Sequence, residues 1–269
     1  MRVAQMRLLS RGRHIQDGYN ALPDARFLEE GLCMWMRLFA LILFALLSGC
    51  ASQTIQRKDG SVSEREFSVS NLAKSDIDMI SELTQREVVK GLKVLTEKLY
   101  KRNPQEYKKA GLESIDAATA RIFEHLDKGK ESPIALMNWQ DNFAVAFQES
   151  YSGDRVFAFM SALTGMVMAS YDYKTAFYVA DRLEPQKLYN SARNIEVAVW
   201  KLSSAKLANG NKVLITNSME GDVQNLSYER EFGKLIATQD LLALMIEDRS
   251  SRTFTRALQN AAAFRFLPI

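Results

Sequence analysis

Few side chains in this sequence could act as strong nucleophiles or as soft metal ligands. The 269 residues contain two cysteines, Cys33 and Cys50, and two histidines, His14 and His125. A zinc site built from cysteine and histidine needs three or four such ligands, and a Ser-His-acid triad needs one well-placed histidine. His125 lies near a predicted helix end, where a histidine usually caps the helix or faces solvent. The sequence therefore predicts no metal site, no hydrolase triad and no cofactor.

A group of polar residues on two predicted helices is the most suggestive set for acid-base chemistry. It comprises Asn190, Arg193, Asn194 and Glu196 on one helix, and Glu229 and Arg230 on another. Helical geometry places positions 190, 193 and 194 on one face, whereas Glu196 points about 160° away from Asn194. Glu196 is flanked by Ile195 and Val197, and burial among them would suit its carboxyl group to general acid catalysis. The alternative, which we favour, is an ion network that fixes the register of two helices.

The one other reactive group is the thiol of Cys50, and the apolar run 38–47 precedes it closely in the chain. The run follows Arg37 and contains no charge. It is too short to span a hydrocarbon core, which takes about 20 helical residues, but it has the length of the apolar region in a cleaved signal. The alternative is a buried helix that happens to end in Ser-Gly-Cys.

This order of a basic residue, an apolar run, small residues and a cysteine resembles a bacterial lipoprotein signal. Its last four residues, Leu47-Ser48-Gly49-Cys50, resemble the lipobox of such signals. The resemblance implies that a signal peptidase recognises Leu47, Ser48 and Gly49 and cuts before Cys50, which carries acyl chains such as palmitate that anchor it in the membrane. Because Ala51 rather than aspartate follows, it also implies sorting to the outer membrane, with the protein facing the periplasm.

The anchor divides the chain into four predicted parts. Residues 1–35 are an over-extended N-terminus, with Met34 or Met36 as the true start, because the basic segment of a signal is short. Residues 36–49 are the signal peptide, residues 50–69 the lipidated cysteine with a polar, flexible tether, and residues 70–269 a helical periplasmic domain.

The charge balance excludes a nucleic-acid binder. Removing residues 1–49 takes away six of the 35 basic and four of the 32 acidic residues, which leaves 29 against 28. The sequence also lacks the basic stripe with interleaved aromatic residues that such proteins use. The remaining 200 or so residues are enough for one sizeable core.

Hydrophobic periodicity after the tether predicts a single all-α domain, a bundle of about eight helices. The predicted helices are 75–103, 114–129, one from Pro133 through Phe147, 156–169, a short piece at 174–182, 186–207, 227–248 and 253–264. The run 212–216 is strand-like, and a small β-hairpin near 211–225 is the one exception considered.

The segment Val156 to Ala169 has no charge and is apolar on every face, which predicts the central helix of the core. Its methionines, Met160, Met166 and Met168, could form an adaptable binding surface. Methionines at helical spacing more commonly fill gaps in a core, and we favour packing.

Four segments are similar to a family of uncharacterised proteobacterial envelope lipoproteins. They are residues 98–104, 152–156, 188–196 and 225–234. The resemblance covers most of the chain after the tether, and it implies the same location without implying an activity.

Three functions are compatible with these observations. The first is a non-catalytic periplasmic module that acts in envelope assembly, maintenance or transport by binding another envelope protein. The second is a lipid or glycan hydrolase that uses carboxylates such as Glu196 and Glu229. The third is a carrier of apolar ligands with a cavity beside Val156 to Ala169.

Overall fold

The structure, a computed structural model, describes residue 55, residues 73–217 and residues 225–263, the last thirteen of these as backbone only. The predicted N-terminal extension, the signal peptide with Leu47, Ser48, Gly49 and Cys50, and all of the tether except Ile55 lie outside these residues. The helices described below all belong to one compact unit, residues 67–269.

The described residues form an all-α bundle, which confirms the predicted fold class. The eight α-helices within them are α1 (Asp76–Arg102), α2 (Pro104–Lys109), α3 (Ile115–Phe123), α4 (Pro133–Leu136), α5 (Trp139–Ala146), α6 (Arg155–Ser170), α7 (Pro185–Ser204) and α8 (Ser227–Ala263). A 3₁₀ helix, Leu126–Glu131, lies between α3 and α4. In these same ranges, no helix combines the length and the apolarity that crossing a membrane requires.

Helix α1 begins and ends where the sequence predicts. Ser75 is its N-cap, and the Ser75 backbone N–H donates to Asp78 Oδ2 at 2.7 Å, as in a capping box. Val88, Leu92, Leu95 and Leu99 recur every three or four residues and are almost fully buried. Asn103 ends the helix because Pro104 follows it.

Helix α6 is the centre of the core, as predicted. Asp154 caps it by accepting a hydrogen bond from the Phe157 backbone N–H at 2.9 Å. Met160, Met166 and Met168 are buried along with nearly every other residue of the helix. The three methionines therefore pack in the core and offer no exposed binding surface.

Helix α8 runs antiparallel to α1. Lys98 near the end of α1 donates to the carbonyl of Ser227 at the start of α8, and Asp78 at the start of α1 lies 3.8 Å from Arg249. The prediction of two helices, 227–248 and 253–264, is wrong, because a single helix continues from Ser227 to Ala263. The polar stretch 247–253 contains neither glycine nor proline, so nothing in it breaks the backbone hydrogen bonds.

The single helix predicted from Pro133 through Phe147 is two helices. The chain leaves the helical region at Met137, and the side chain of Asn138 accepts hydrogen bonds from the backbone N–H groups of Gln140 and Asp141 at 3.0 and 3.3 Å. Asn138 therefore starts α5 as a new helix, because an asparagine oxygen satisfies the N–H groups that a helix start leaves unpaired.

Residues 174–182 form no helix, contrary to the prediction. The chain leaves α6 through Asp172 and Tyr173, whose φ angles of 53° and 58° are left-handed. The Phe177 backbone N–H then donates to the Glu82 carboxylate at 2.9 Å, and the Val179 N–H to the carbonyl of Ala73 at 3.3 Å. These backbone groups bind α1 and Ala73, three positions before it, and so are not used within a helix.

The strand-like run 212–216 forms no strand, and the described part of 211–225 contains no hairpin. One isolated antiparallel bridge joins Lys206 to Lys212, and residues 218–224 lie outside the description. The Asn103 side chain accepts from the Ile215 N–H at 2.8 Å and donates to the Ile215 carbonyl at 2.9 Å. Arg102 donates to the carbonyl of Asn217 at 2.7 Å. The side chains of Arg102 and Asn103 thus make hydrogen bonds to this run that a neighbouring strand would otherwise make.

Candidate functional site

Arg193 is the centre of the predicted polar group on α7. Its guanidinium group lies 2.9 Å from Glu196 Oε1 on the same helix and 2.5 Å from Asp240 Oδ2 on α8. Asn190 and Asn194 are exposed, and Asn190 accepts a hydrogen bond from Gln186 at 2.8 Å. Of the four predicted residues on α7, only Arg193 therefore connects the two helices.

Glu229 and Arg230 belong to a different part of the molecule. The Glu229 carboxylate accepts a hydrogen bond from the Asn217 side chain at 2.7 Å, and Arg230 is exposed. Glu229 precedes Asp240 by eleven positions on α8, and a rise of 1.5 Å per residue separates the two by about 16 Å. The six predicted residues thus do not form one site.

Glu196 lacks the buried environment that general acid catalysis would need. Its side chain is 45% exposed and pairs with Arg193. The general-acid hypothesis depended on burial among Ile195 and its neighbours, and this condition is not met. The ion pair of Arg193 with Asp240 instead fits the alternative interpretation, because it fixes α7 and α8 relative to each other.

Asp240 is the partner that sequence reasoning missed. It is the one charged residue between Lys234 and Glu247, in the otherwise uncharged stretch 235–246 of α8. A solitary carboxylate in such a stretch indicates a specific partner, because an unpaired charge at a helix interface is costly. This signal was available in the sequence, but α7 could not be identified as its neighbour without the fold.

The two helices that the pair of Arg193 and Asp240 joins carry a set of exposed apolar side chains. We call it the α7–α8 face and define it by Tyr189, Val197 and Trp200 of α7 and Leu241 and Leu244 of α8. Their exposed fractions lie between 48% and 67%. The Arg193 guanidinium lies over the ring of Tyr189 on the same helix at 5.0 Å. Eleven positions from Tyr189 to Trp200 extend about 16 Å along α7.

The residue types of the α7–α8 face are ones that protein contacts commonly use. Exposed apolar side chains grouped on one surface mark interaction sites in soluble proteins. Trp, Tyr and Arg are the residues most enriched among those that dominate binding energies, and Trp200, Tyr189 and Arg193 supply one of each.

A second polar group is buried where α1, α2 and α6 meet. The Tyr100 hydroxyl donates to Asp154 Oδ2 at 2.9 Å, and the Arg155 backbone N–H donates to Glu106 Oε2 at 2.7 Å. The Arg155 guanidinium binds the carbonyls of Ala146 and Tyr151 at 2.9 and 2.8 Å. Burial raises the pKa of both Asp154 and Tyr100 above their usual ranges. These groups bind one another and the backbone, so the group holds three helices together.

The remaining candidates of the sequence analysis have no reactive setting. His125 is exposed and has a left-handed φ of 68° just after α3. Across the described ranges, no three His, Cys, Asp or Glu side chains gather in a way that could hold a metal ion.

A cleft lies at the opposite end of α1 from the buried polar group. Its cavity volume is about 670 Å³, and its walls come from the first turns of α1, from residues 177–185 and from residues 246–250 of α8. No residue of Val156 to Ala169 lines it. It is therefore not the cavity that the carrier hypothesis placed beside α6.

Three of the four segments 98–104, 152–156, 188–196 and 225–234 contact one another. Segment 98–104 contacts segment 152–156 through Tyr100 and Asp154, and it contacts segment 225–234 through Lys98 and Ser227. Segment 188–196 contacts α8 through Arg193. Searches against protein families, curated proteins and solved structures found no match to this chain.

Proposed function

We propose that this protein is a lipid-anchored, non-catalytic module on the periplasmic side of the outer membrane, which binds another envelope protein through the α7–α8 face. The anchor is the lipidated Cys50, as the lipobox-like residues imply. The binding serves envelope assembly, maintenance or transport. The observation that supports the binding role is the exposure of Tyr189, Trp200 and Leu241 on the two helices that one ion pair joins.

The spacing of the apolar residues on the face favours an amphipathic helix as the bound segment of the partner. Two helices packed side by side leave a shallow groove, and apolar residues spaced along it match the three- and four-residue steps of a helix laid into it. Val197 and Trp200 follow that spacing on α7, as Leu241 and Leu244 do on α8. The partner helix would place apolar residues against these four and a polar residue near Arg193.

Site-specific photocrosslinking in intact envelopes tests the binding role. A photoreactive amino acid replaces Trp200 or Leu241 in separate variants, and Leu136 in a matched control. Leu136 is 77% exposed and belongs to α4, outside the face. We expect one envelope protein to crosslink at 200 and at 241 but not at 136, through residues of an amphipathic helix. Equal crosslinking at all three positions, or none, would contradict the proposal, and a crosslinked second copy of the chain would replace the partner.

The anchor has a separate test. Replacing Cys50 with alanine removes the sulfur that would carry lipid, so we expect the protein to leave the outer-membrane fraction and to lose incorporation of labelled palmitate. Replacing Ser61, which lies in the predicted tether after the cut, with alanine is the matched control and should change neither result. Unchanged fractionation and labelling of the Cys50→Ala variant would refute the anchor but leave the crosslinking result standing.

A further inference from the structure

The outward side of α8 carries a line of exposed residues within 227–250. Its members recur every three or four positions, so they lie on one side of the helix. We call this line the α8 stripe and define it by Arg230, Gly233, Ala237, Leu241, Leu244 and Glu247. The opposite side of the helix is buried and contains Phe232, Leu235, Gln239, Leu242 and Ile246. A rise of about 1.5 Å per residue gives the stripe a length of about 26 Å.

The two halves of the α8 stripe differ in the size of their side chains. Gly233 and Ala237 are small and exposed, and a Cβ on Gly233 would meet nothing within 4 Å. Leu241 and Leu244 are large, and they are 60% and 61% exposed. The first half therefore offers room for a large side chain, and the second half supplies two. A copy of the stripe turned end for end would place its leucines against the small residues.

The charges along the α8 stripe have an order that is also reversed by this turn. Arg230 lies at one end and Glu247 at the other, and both are exposed. The neighbouring charges are held within the chain. Lys234 pairs with Glu231 at 3.0 Å, and Asp248 has an interaction of its own. Arg230 and Glu247 are therefore the charges that the two ends of the stripe present to a partner.

We propose that two copies of the chain associate through the α8 stripe, with their α8 helices antiparallel about a two-fold axis between residues 238 and 239. A two-fold interface brings the same surface of both copies together, so that surface must be complementary to itself. The order of sizes and the order of charges both meet this condition. The register sets Leu244 opposite Gly233, Leu241 beside Ala237, and Arg230 opposite Glu247. The leucines supply the apolar contact, and the charges fix the direction of the helices.

This dimer would regulate the protein-binding function proposed above, and only that regulatory role rests on the proposed function. Leu241 and Leu244 belong both to the α8 stripe and to the α7–α8 face, so a second copy and a partner helix compete for them. One helix pair about 26 Å long forms a smaller contact than the roughly 1,200–2,000 Å² of a stable interface. We therefore expect the dimer to be the form of the protein without its partner, and the partner to displace the second copy.

Cysteine crosslinking of the purified full-length protein tests the antiparallel register. Copies with Arg230→Cys and copies with Glu247→Cys, which carry tags of different size, are mixed in detergent and treated with a short bismaleimide. The lost charges should weaken the dimer only slightly, because exposed ion pairs contribute little. Antiparallel helices bring position 230 close to position 247 of the other copy and separate like positions by about 26 Å. We therefore expect crosslinks between the two variants and not within either.

The chain without an added cysteine is the control, because it reports crosslinking through Cys33 or Cys50. Crosslinks within each variant at the same yield as between them would overturn the antiparallel register. The absence of crosslinks between the two variants would overturn the dimer.

Sedimentation over a series of protein concentrations measures the contribution of the leucines. We expect Leu241→Arg to weaken dimerisation about tenfold or more, because two-fold symmetry places the substituted residue in the interface twice. Leu136→Arg is the matched control and should leave dimerisation unchanged, because Leu136 is 77% exposed on α4, outside the stripe. A thermal melt of each variant reports whether it is folded.

Unchanged dimerisation of folded Leu241→Arg, or a wild-type protein that stays monomeric at every concentration, would overturn the proposal. Neither result would affect photocrosslinking to an envelope protein at Trp200. Conversely, the absence of an envelope partner would leave the dimer of the purified protein standing.

Discussion

Asp154 is a carboxyl group on which burial and helix capping act in opposite directions. It caps α6 through the Phe157 N–H and accepts the Tyr100 hydroxyl, and both bonds favour its charged form. Burial outweighs them and raises its pKa in the folded state. A carboxyl group with a raised folded-state pKa binds its proton more tightly in the folded protein. Its ionisation therefore destabilises the fold.

The pH dependence of unfolding follows from this sign. The stability associated with Asp154 is fully present below the ordinary aspartate pKa of about 3.9 and is lost as the pH rises through the raised folded-state pKa. Asp154→Asn keeps an acceptor for the helix cap but cannot ionise, so its stability relative to wild type should rise across that window. Urea unfolding over a pH series measures this, with Asp116→Asn at an exposed position as the control. A relative stability that falls as the pH rises would show that the sign is wrong.

Gln239 shows how a buried polar residue can specify helix packing. It is fully buried, accepts the Tyr171 hydroxyl at 2.6 Å, and donates to Ser191 at 3.0 Å and to Ser170 at 3.3 Å. It thereby links α8 to α7 and to the end of α6. Burial raises the pKa of Tyr171, which keeps its hydroxyl protonated as the donor.

Removing one partner of this network should lower the free energy of unfolding more than removing the side-chain groups of Gln239 and Tyr171 together. We expect Gln239→Leu to lower the free energy of unfolding by about 1–3 kcal/mol, because the buried Tyr171 hydroxyl loses its acceptor. Adding Tyr171→Phe should recover part of this loss. A double-mutant cycle by chemical denaturation measures the coupling, and strictly additive losses would argue against a shared network.

The candidate site shows the limit of sequence reasoning at this scale. Arg193 was identified because it lies among polar residues on a predicted helix, and it does form an interhelical ion pair. Its partner Asp240 and the exposed apolar face of the two helices could not be identified, because each depends on which helices pack together. Residue type alone places Glu229 and Arg230 in one group with Arg193. On α8, however, they lie several turns away from Asp240, the partner of Arg193.

At the level of elements, local signals predicted most of the helices, and long-range contacts decided two of the exceptions. Ser75, Asn103-Pro104 and Asp154 mark the ends of α1 and the start of α6, because caps and proline act within a few residues. Residues 174–182 and 212–216 instead bind the side chains or backbone of residues about 95 to 115 positions away in the chain. No periodicity within either segment reports such partners.

Gly91 of α1 and Gly233 of α8 form a matched pair for substitution by alanine. A Cβ on Gly91 would lie 2.8 Å from Leu235 Cδ2, whereas a Cβ on Gly233 would meet nothing within 4 Å. Alanine should stabilise the helix by up to about 1 kcal/mol at either position, but crowding a packed interface costs about 1–3 kcal/mol. We therefore expect Gly233→Ala to raise the melting temperature and Gly91→Ala to lower it. Equal shifts for both variants would mean that Leu235 moves aside freely.

At the level of the whole molecule, the proposed lipid anchor makes a prediction about the mass of the mature protein. We expect the protein extracted from membranes to have an intact mass that corresponds to the chain from Cys50 onward plus its acyl chains, because the proposed anchor requires a cut before that residue. Intact mass spectrometry measures this, and the Cys50→Ala variant should keep its signal residues. A wild-type mass that includes residues before Met34 would refute both the predicted start and the cut.

The attachment of Ile215 to Asn103 has a consequence for local dynamics. Both backbone hydrogen bonds of Ile215 go to one side chain at the end of α1, so its amide proton can exchange with solvent whenever that last turn unwinds. Deuterium uptake at Ile215 therefore reports fraying of a helix more than 100 residues earlier in the chain. An Asn103→Ala variant would uncouple the two and let this amide exchange at the rate of an open loop.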